Sequence, residues 1–447
     1  MFQTAYKNSR LYREQQIAFD RIMEDVEKPV KKPLILFVCG PAGTGKSELI
    51  KHLYATVGEE HVLLVSPTAM GARNINGKTI HRAMNFNPRH DNDGVMPPLP
   101  SLKLLIIDEI SMCDAKLFER IERRLRQLMD NDQVLFGGCT VVMFGDLLQI
   151  PPVSGKWIFE CKIFFFSFAL LIVFLAPIWK HHVQYTELET IVRQESDPEF
   201  GQMLKRWRLG YCSHDDKVFL DGLAEKVGQQ GWNDYVSYFL SHYEMEKHLM
   251  LLSYTNATNA VLNQKVTLSL FKDEELFNIS REVRVGQTVR RDLMFRVGIN
   301  SRVMIFKNHP SGVNGEIGLV EGVECDSENH VKKLAMRQCG TNEAKTLEKC
   351  TLACSDDTIA IGLPIQPSYA VTFHKAQGQT LDKVFLVARE KNLPPALFYV
   401  GASRVRNRTD LHVLSPNSHT LIQADPSAIA EYIRLRCSIG LSDLPIV

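Results

Sequence analysis

Short blocks of unbroken apolar residues punctuate the first half of the chain: Leu34 to Cys39, Val62 to Val65, Leu104 to Ile107 and Val141 to Phe144. Apolar on every residue rather than on alternate ones, these blocks predict strands buried on both faces of a parallel sheet. Between them the apolar positions change period. Leu49, Ile50, Leu53 and Val57 form one helical stripe, and Leu117, Phe118, Ile121, Leu125, Leu128 and Met129 form another. Each strand-like run ends in small or polar residues: Ser66-Pro67-Thr68, Asp108-Glu109 and Gly145-Asp146. In a parallel sheet ligands bind beyond the carboxyl ends of the strands, so these are the positions where chemistry is expected.

After Phe200 the pattern loosens into a helical region of mixed charge up to about His248. A second α/β unit begins at Leu249 to Leu252, resumes with Thr358 to Ile365 and closes with the strand Leu411 to Leu414. Between its halves, at about 285–355, lies a β-rich insertion. Its alternation and the Asn314-Gly315 turn predict a small barrel-like unit. The expected organisation is therefore a first domain over 1–195 and a second over 196–447 interrupted by that insertion.

The strongest chemical signal is GPAGTGKS, Gly40 to Ser47, between the first strand and the first amphipathic helix. A glycine-rich turn there aims successive backbone N–H groups at phosphate oxygens, and the helix adds the positive end of its dipole. Gly40, Pro41, Ala42, Gly43, Thr44 and Gly45 form the cradle. Lys46 is expected to reach the β and γ phosphates of ATP, and Ser47 to ligate Mg2+. Asp108 is the second candidate for holding magnesium, Glu109 for polarising an attacking water, and Gln149 for hydrogen-bonding the γ-phosphate or that water.

Composition narrows the picture. With 447 residues, 45% hydrophobic and 23% charged, the chain is long enough for two or three cores. A net charge of +1 restricts nucleic-acid binding to a local groove. Arg120, Arg123, Arg124 and Arg126 form a basic helix face, ordinarily a solvated one and alternatively a contact for nucleic-acid phosphates. Ten scattered cysteines suit reduced thiols. Cys325, Cys339, Cys350 and Cys354 lack the paired spacing of a zinc site. The reduced thiols make the expected location intracellular, in the nucleus or alternatively the mitochondrion, and no targeting segment is legible to set an address.

With LYREQ around Gln15, GPAGTGKS, IIDEISM, GDLLQIPPV, RQESDPEF, YAVTFHKAQGQTL and ASRVR, the chain resembles the Pif-type DNA helicases of helicase superfamily one over nearly its whole length. The segment from Ser111 to Gly138 is similar to the one that separates this family from RecD helicases. The resemblance implies an α/β fold of two RecA-like P-loop NTPase domains with the β-barrel-like insertion in the second. It implies Gln15 as the adenine reader, Arg193 at the domain junction and Arg404, from the second domain, as charge stabilisers. Thr68, Thr79, His81, Thr372, His374 and Thr380 are then candidate contacts to single-stranded DNA. The implied activity is ATP-driven 5′ to 3′ translocation with duplex unwinding, in repair, recombination, replication or telomere maintenance.

Two departures stand out. Between His81 and Leu102 the family carries a longer excursion that forms a separation pin, and here it is short. The uncharged run Ile163 to Trp179 is long enough to suggest a membrane span, yet a span would part Lys46 and Gln149 from Arg193 and Arg404. It is therefore expected not to span, but to be an extra apolar helix or an insertion foreign to the fold. The alternatives are an RNA-directed or RecD-like helicase, or a mobile-element remnant that binds nucleotide or DNA without unwinding. Oligomeric state is not legible.

Overall fold

The computed structural model describes residues 11–28, 32–87, 93–152, 156–160, 178–225, 231–244, 248–286, 288–355, 358–388, 393–414, 417–441 and 444. Two compact units divide the chain. The first comprises Met1–Ser213, Pro394–Arg406 and Ile422–Val447; the second comprises His214–Leu393 and Asn407–Leu421.

In the first unit β1 (Ile35–Cys39), β2 (Val62–Ser66), β3 (Lys78–Thr79), β4 (Leu104–Ile107), β5 (Thr140–Gly145) and β6 (Gln184–Glu187) form a sheet in the order β3-β2-β4-β5-β1-β6. All five pairings are parallel. The expected two-sided burial is met at every residue of β1, β4 and β5 and at all but Leu63 of β2. Ile35, Phe37, Leu105, Ile107, Val141 and Met143 pack in one core with Phe118, Ile121, Leu125 and Leu128 of the helix Ala115–Leu128. Leu36, Val38, Leu104, Ile106, Val142 and Phe144 pack in the other with Leu49, Ile50 and Leu53 of the helix Lys46–Val57. The helix Ala115–Leu128 starts where Asp114 Oδ1 accepts from the Leu117 N–H at 2.7 Å.

The division after Ser213, rather than at 195, has a physical cause. The helix Pro198–Arg208 is anchored in the first unit, with Trp207 fully buried against Phe398 at 5.7 Å and Arg208 paired to Asp146. Residues 394–406 return to that unit and bring Arg404 with them, whereas the sequence placed Arg404 in the second domain. The helix Pro426–Ser438 also belongs to it, through Ala428, Tyr432 and Leu435.

The second unit holds two kinds of sheet. β7 (Leu249–Ser253), β17 (Ala370–Thr372), β18 (Lys383–Leu386) and β19 (Leu411–Val413) form a parallel sheet in the order β17-β7-β18-β19. The insertion is wider than expected. It contains β8 (Phe277–Val285), β9 (Thr288–Val297), β10 (Arg302–Ile305), β11 (Ile317–Cys325), β12 (Val331–Gln338), β13 (Ala344–Glu348), β14 (Cys350–Ser355), β15 (Thr358–Gly362) and β16 (Ile365–Pro367). No closed barrel forms among the described residues: the strands make open sheets of five (β13-β12-β11-β10-β16) and four (β14-β15-β8-β9). They share one core, including Ile279 and Val297 from one sheet and Val303, Val320, Leu334 and Ile365 from the other. The β16 end strand leads through Ser368 and Tyr369 into β17 instead of closing the sheet.

Of the apolar run 163–179, residues 163–177 lie outside the described residues. Its end, Trp179, is fully buried, and its Nε1 donates to Glu431 Oε1 at 2.8 Å. Among the described residues no helix is long and apolar enough to cross a membrane.

Candidate functional site

The phosphate loop leaves β1 at Gly40, and Gly43 and Gly45 turn it with φ of +89° and +77°. Those left-handed conformations favour glycine, and there is no room for a side chain either. A Cβ at Gly43 would stand 2.7 Å from the Arg193 Cβ, and one at Gly45 would stand 2.3 Å from Gln15 Nε2. Lys46 opens the following helix, and its Nζ donates to the carbonyls of Gly40 (2.6 Å) and Pro41 (2.9 Å). Burial pushes its ammonium below the ordinary lysine value, while Asp146, Glu109 and Asp108 act in the opposite sense. Ser47 is exposed beside it, and Thr44 is buried with its hydroxyl donating to the Pro41 carbonyl.

Gln15 is buried against this loop. Its amide donates to the Thr44 carbonyl at 3.1 Å, and its Oε1 accepts from the Tyr12 N–H at 2.9 Å.

Asp108 and Glu109 follow β4 at the level of the loop. Asp108 is buried, and burial together with the neighbouring Glu109 lifts its carboxyl to about 7 against the pull of Lys46. Glu109 has φ +55° and ψ +45°, a left-handed conformation that is costly for a residue with a side chain. The strain sits at a residue expected to do chemistry.

After β5, Asp146 is fully buried and receives a bidentate pair from Arg208, Nε to Oδ2 at 2.9 Å and Nη2 to Oδ1 at 2.8 Å. The same carboxylate accepts from the Leu148 N–H and from Gln149 Nε2 at 3.3 Å, so it holds Gln149 in place. The Arg208 guanidinium also lies 4.6 Å over the Tyr432 ring.

Arg193 and Arg404 complete the cluster. The Gly43 carbonyl accepts from the N–H groups of Val192 and Arg193, which fixes that segment on the phosphate loop. Arg193 Nη1 donates to the Ser403 carbonyl at 2.9 Å, and Arg404 Nε donates to the Val400 carbonyl at 2.7 Å. Burial and then the Arg404 charge bring Arg193 down to about 9. Arg404 is likewise lowered by burial, with Glu109 opposing. Gln194 is buried with Nε2 on the Val405 carbonyl at 2.7 Å, and its Oε1 has no partner among the described residues.

Three participants had little or no sequence signal. Asp146 ends its strand as Asp108 does, which was the available clue. Arg208 and Tyr399 had none, because their partners lie 62 and 357 positions away. The Tyr399 hydroxyl accepts from the Ala42 N–H at 3.0 Å.

In the first unit Thr68 follows β2 and caps the helix Ala69–Asn74 by accepting from Gly71 N, while Thr79 ends β3 and caps the helix Ile80–Ala83 by accepting from Arg82 N. Both hydroxyls thus have local structural work. His81 stands edge-on to Phe86 at 6.3 Å. In the second unit Thr372 ends β17 and is buried, His374 lies 6.5 Å from the Tyr254 ring in a stacked arrangement, and Thr380 is exposed. Part of the short excursion after His81, residues 88–92, lies outside the described residues. At its far side Asp93 is tied back to the helix Ala115–Leu128 by an ion pair with Arg120. Among the described residues no three His, Cys, Asp or Glu side chains gather as a metal cluster. Asp108 and Ser47 do offer the hard oxygen donors that suit magnesium, which uses one or two carboxylates and substrate phosphates.

A parallel sheet with a phosphate loop after its first strand, and acidic residues after two others, defines the class as a P-loop α/β protein of RecA-like architecture. Residues 10–217 match the family model described as PIF1-like helicase. The ATP-dependent DNA helicase PIF1 of Rattus norvegicus is 28% identical over 440 residues, covering 93% of this chain and 64% of the relative; that of Homo sapiens is 27% identical with the same shares. This chain therefore spans just under two thirds of those relatives' length. The fold is shared with the Pif1 helicase from Bacteroides in complex with ADP-AlF3 and single-stranded DNA (TM-score 0.74, 23% identity, 97% of this chain and 99% of that one). It is shared too with Pif1 helicase from Candida albicans (TM-score 0.72, 22% identity, 96% and 100%). The chain is thus similar to PIF1-like helicases, by the family model over residues 10–217 and by these relatives over most of its length.

Proposed function

We propose that this protein is an ATP-driven DNA helicase that tracks 5′ to 3′ along single-stranded DNA. The observation that carries the reading is the convergence on one phosphate loop of Lys46, the Asp108-Glu109 pair, Gln149, Arg193 and Arg404. Phosphoryl transfer needs positioning and charge stabilisation more than covalent chemistry, and these residues supply both.

In this reading the N–H groups of the loop bind the phosphates, and Lys46 exchanges its loop carbonyls for β and γ oxygens. Ser47 and Asp108 would hold a magnesium ion, which when bound neutralises phosphate charge. Glu109 accepts a hydrogen bond from a water whose oxygen attacks the γ-phosphorus as the bond to the β–γ bridging oxygen breaks, releasing ADP and phosphate. Gln149, oriented by Asp146, contacts the γ-phosphate or that water. Arg193 and Arg404 stabilise the charge developing on the transferred group. Gln15, held at Thr44, is positioned to report adenine occupancy to the loop. Thr68, Thr79 and His81 on the first unit and Thr372, His374 and Thr380 on the second contact the strand backbone, which gives binding indifferent to sequence.

The test is unwinding of a duplex bearing either a 5′ or a 3′ single-stranded tail. The 5′-tailed duplex alone should be unwound, with Arg404→Ala inactive; unwinding of the 3′-tailed duplex alone would overturn the direction. ATP hydrolysis stimulated equally by RNA and DNA would favour the RNA-directed alternative.

A further inference from the structure

In the first unit a cleft of about 660 Å³ runs between residues 93–96 and one face of the helix Ala115–Leu128. Lys116, Arg120, Arg123 and Arg124 line it, against one carboxylate among the described residues, Asp93. Arg124 is 7% exposed and sits 3.8 Å from Asp93; its Nη1 donates to Gln127, and its Nε has no partner among the described residues. A buried cation with an unused donor is costly in a dry core but suited to a site that receives an anion.

We propose that this cleft binds backbone phosphates of the duplex portion of a tailed DNA substrate. The proposal rests on the helicase reading and extends it. Its location carries the first part of the argument. His81, a candidate strand contact, lies edge-on to Phe86, and the Arg120 guanidinium lies 4.5 Å over that same ring. His81 and the cleft are therefore separated by one aromatic ring, Phe86.

The chemistry of the lining carries the second part. Single-stranded sites pair cations with accessible aromatic faces on which bases stack. Among the described residues no aromatic ring lines this cleft, and the neighbouring Phe86 is buried beneath Arg120 and Arg124. A duplex, whose bases are turned inward, presents phosphates to such a surface. At a rise of about 1.5 Å per residue, Lys116 and Arg123 stand roughly 10 Å apart along the helix, enough to meet two phosphates.

The experiment uses the full chain and the variant Lys116→Ala/Arg123→Ala, in which both altered side chains are exposed. Binding is measured by fluorescence anisotropy across a salt series, for a 5′-tailed duplex and for its tail alone. The variant should bind the tailed duplex roughly tenfold more weakly, with a salt slope smaller by about 2, while its affinity for the tail and its strand-stimulated ATP hydrolysis stay at the parent level. Parent-like duplex affinity and slope in the variant would overturn the proposal, as would equal losses on tail and duplex. Failure of the helicase reading is distinguishable, since the parent would then lack strand-stimulated hydrolysis.

Discussion

The Ala42 N–H of the phosphate loop donates to the hydroxyl of Tyr399, 3.0 Å away in space and 357 positions away in sequence. Both groups are buried, so this bond fixes the loop to the short helix Leu397–Ala402 immediately before Arg404. Together with the Arg193 bond to the Ser403 carbonyl, it ties the loop to the segment that carries Arg404. Tyr399→Phe should lower stability by about 1–3 kcal/mol, because the buried N–H loses its acceptor while packing is kept. Urea unfolding reads the loss, and ATP affinity should fall with it; unchanged values for both would mean the bond does not hold the loop.

The buried Arg208–Asp146 pair makes a sharper demand. Arg208→Met should destabilise the first unit by about 3–5 kcal/mol, since it leaves Asp146 buried without its cation. Arg208→Lys should recover only part, because an ammonium cannot reproduce the two parallel guanidinium bonds. Thermal denaturation of the two variants orders them, and full recovery by lysine would show that charge alone suffices.

Much of the first unit was legible because β1, β2, β4 and β5 are almost wholly apolar, which is how strands covered on both faces must read; the end strands β3 (Lys78–Thr79) and β6 (Gln184–Glu187) are mostly polar and gave no such signal. The loop Gly40 to Ser47 and the Asp108-Glu109 pair were legible for a related reason: each follows such a strand directly. Arg208 and Tyr399 were not, since a lone arginine in a helix or a tyrosine in an apolar stretch gives no sign of a distant partner. The resemblance implied Arg404 from the second domain, whereas Pro394–Arg406 groups with the first unit, where Phe398, Tyr399 and Arg404 are buried. Alternation along the insertion gave its strands but not their closure, which depends on where the last strand leads.

Glu431 offers a pH-dependent test of how the end of the apolar run is held. Burial alone would raise its carboxyl, but hydrogen bonds from Arg434, Lys180 and Trp179 outweigh burial and hold it below the ordinary glutamate value. A carboxyl depressed in the folded state stabilises above its unfolded value, and that contribution is lost as pH falls through the folded one. Glu431→Gln should therefore cost about 1.5–3 kcal/mol at pH 7, with the gap to the parent closing in acid. Denaturant unfolding at both pH values reads it, and a gap that widens in acid would reverse the assignment.

Hydrolysis of ATP with and without single-stranded DNA, compared across the parent, Lys46→Ala and Glu109→Gln, tests the central claim most directly. The parent should be strongly stimulated by the strand and both variants should be inactive, with Glu109→Gln keeping near-parental ATP affinity and Lys46→Ala losing it. A parent that binds ATP but shows no strand-stimulated hydrolysis would contradict the account, as would a Glu109→Gln variant that turns over at the parental rate.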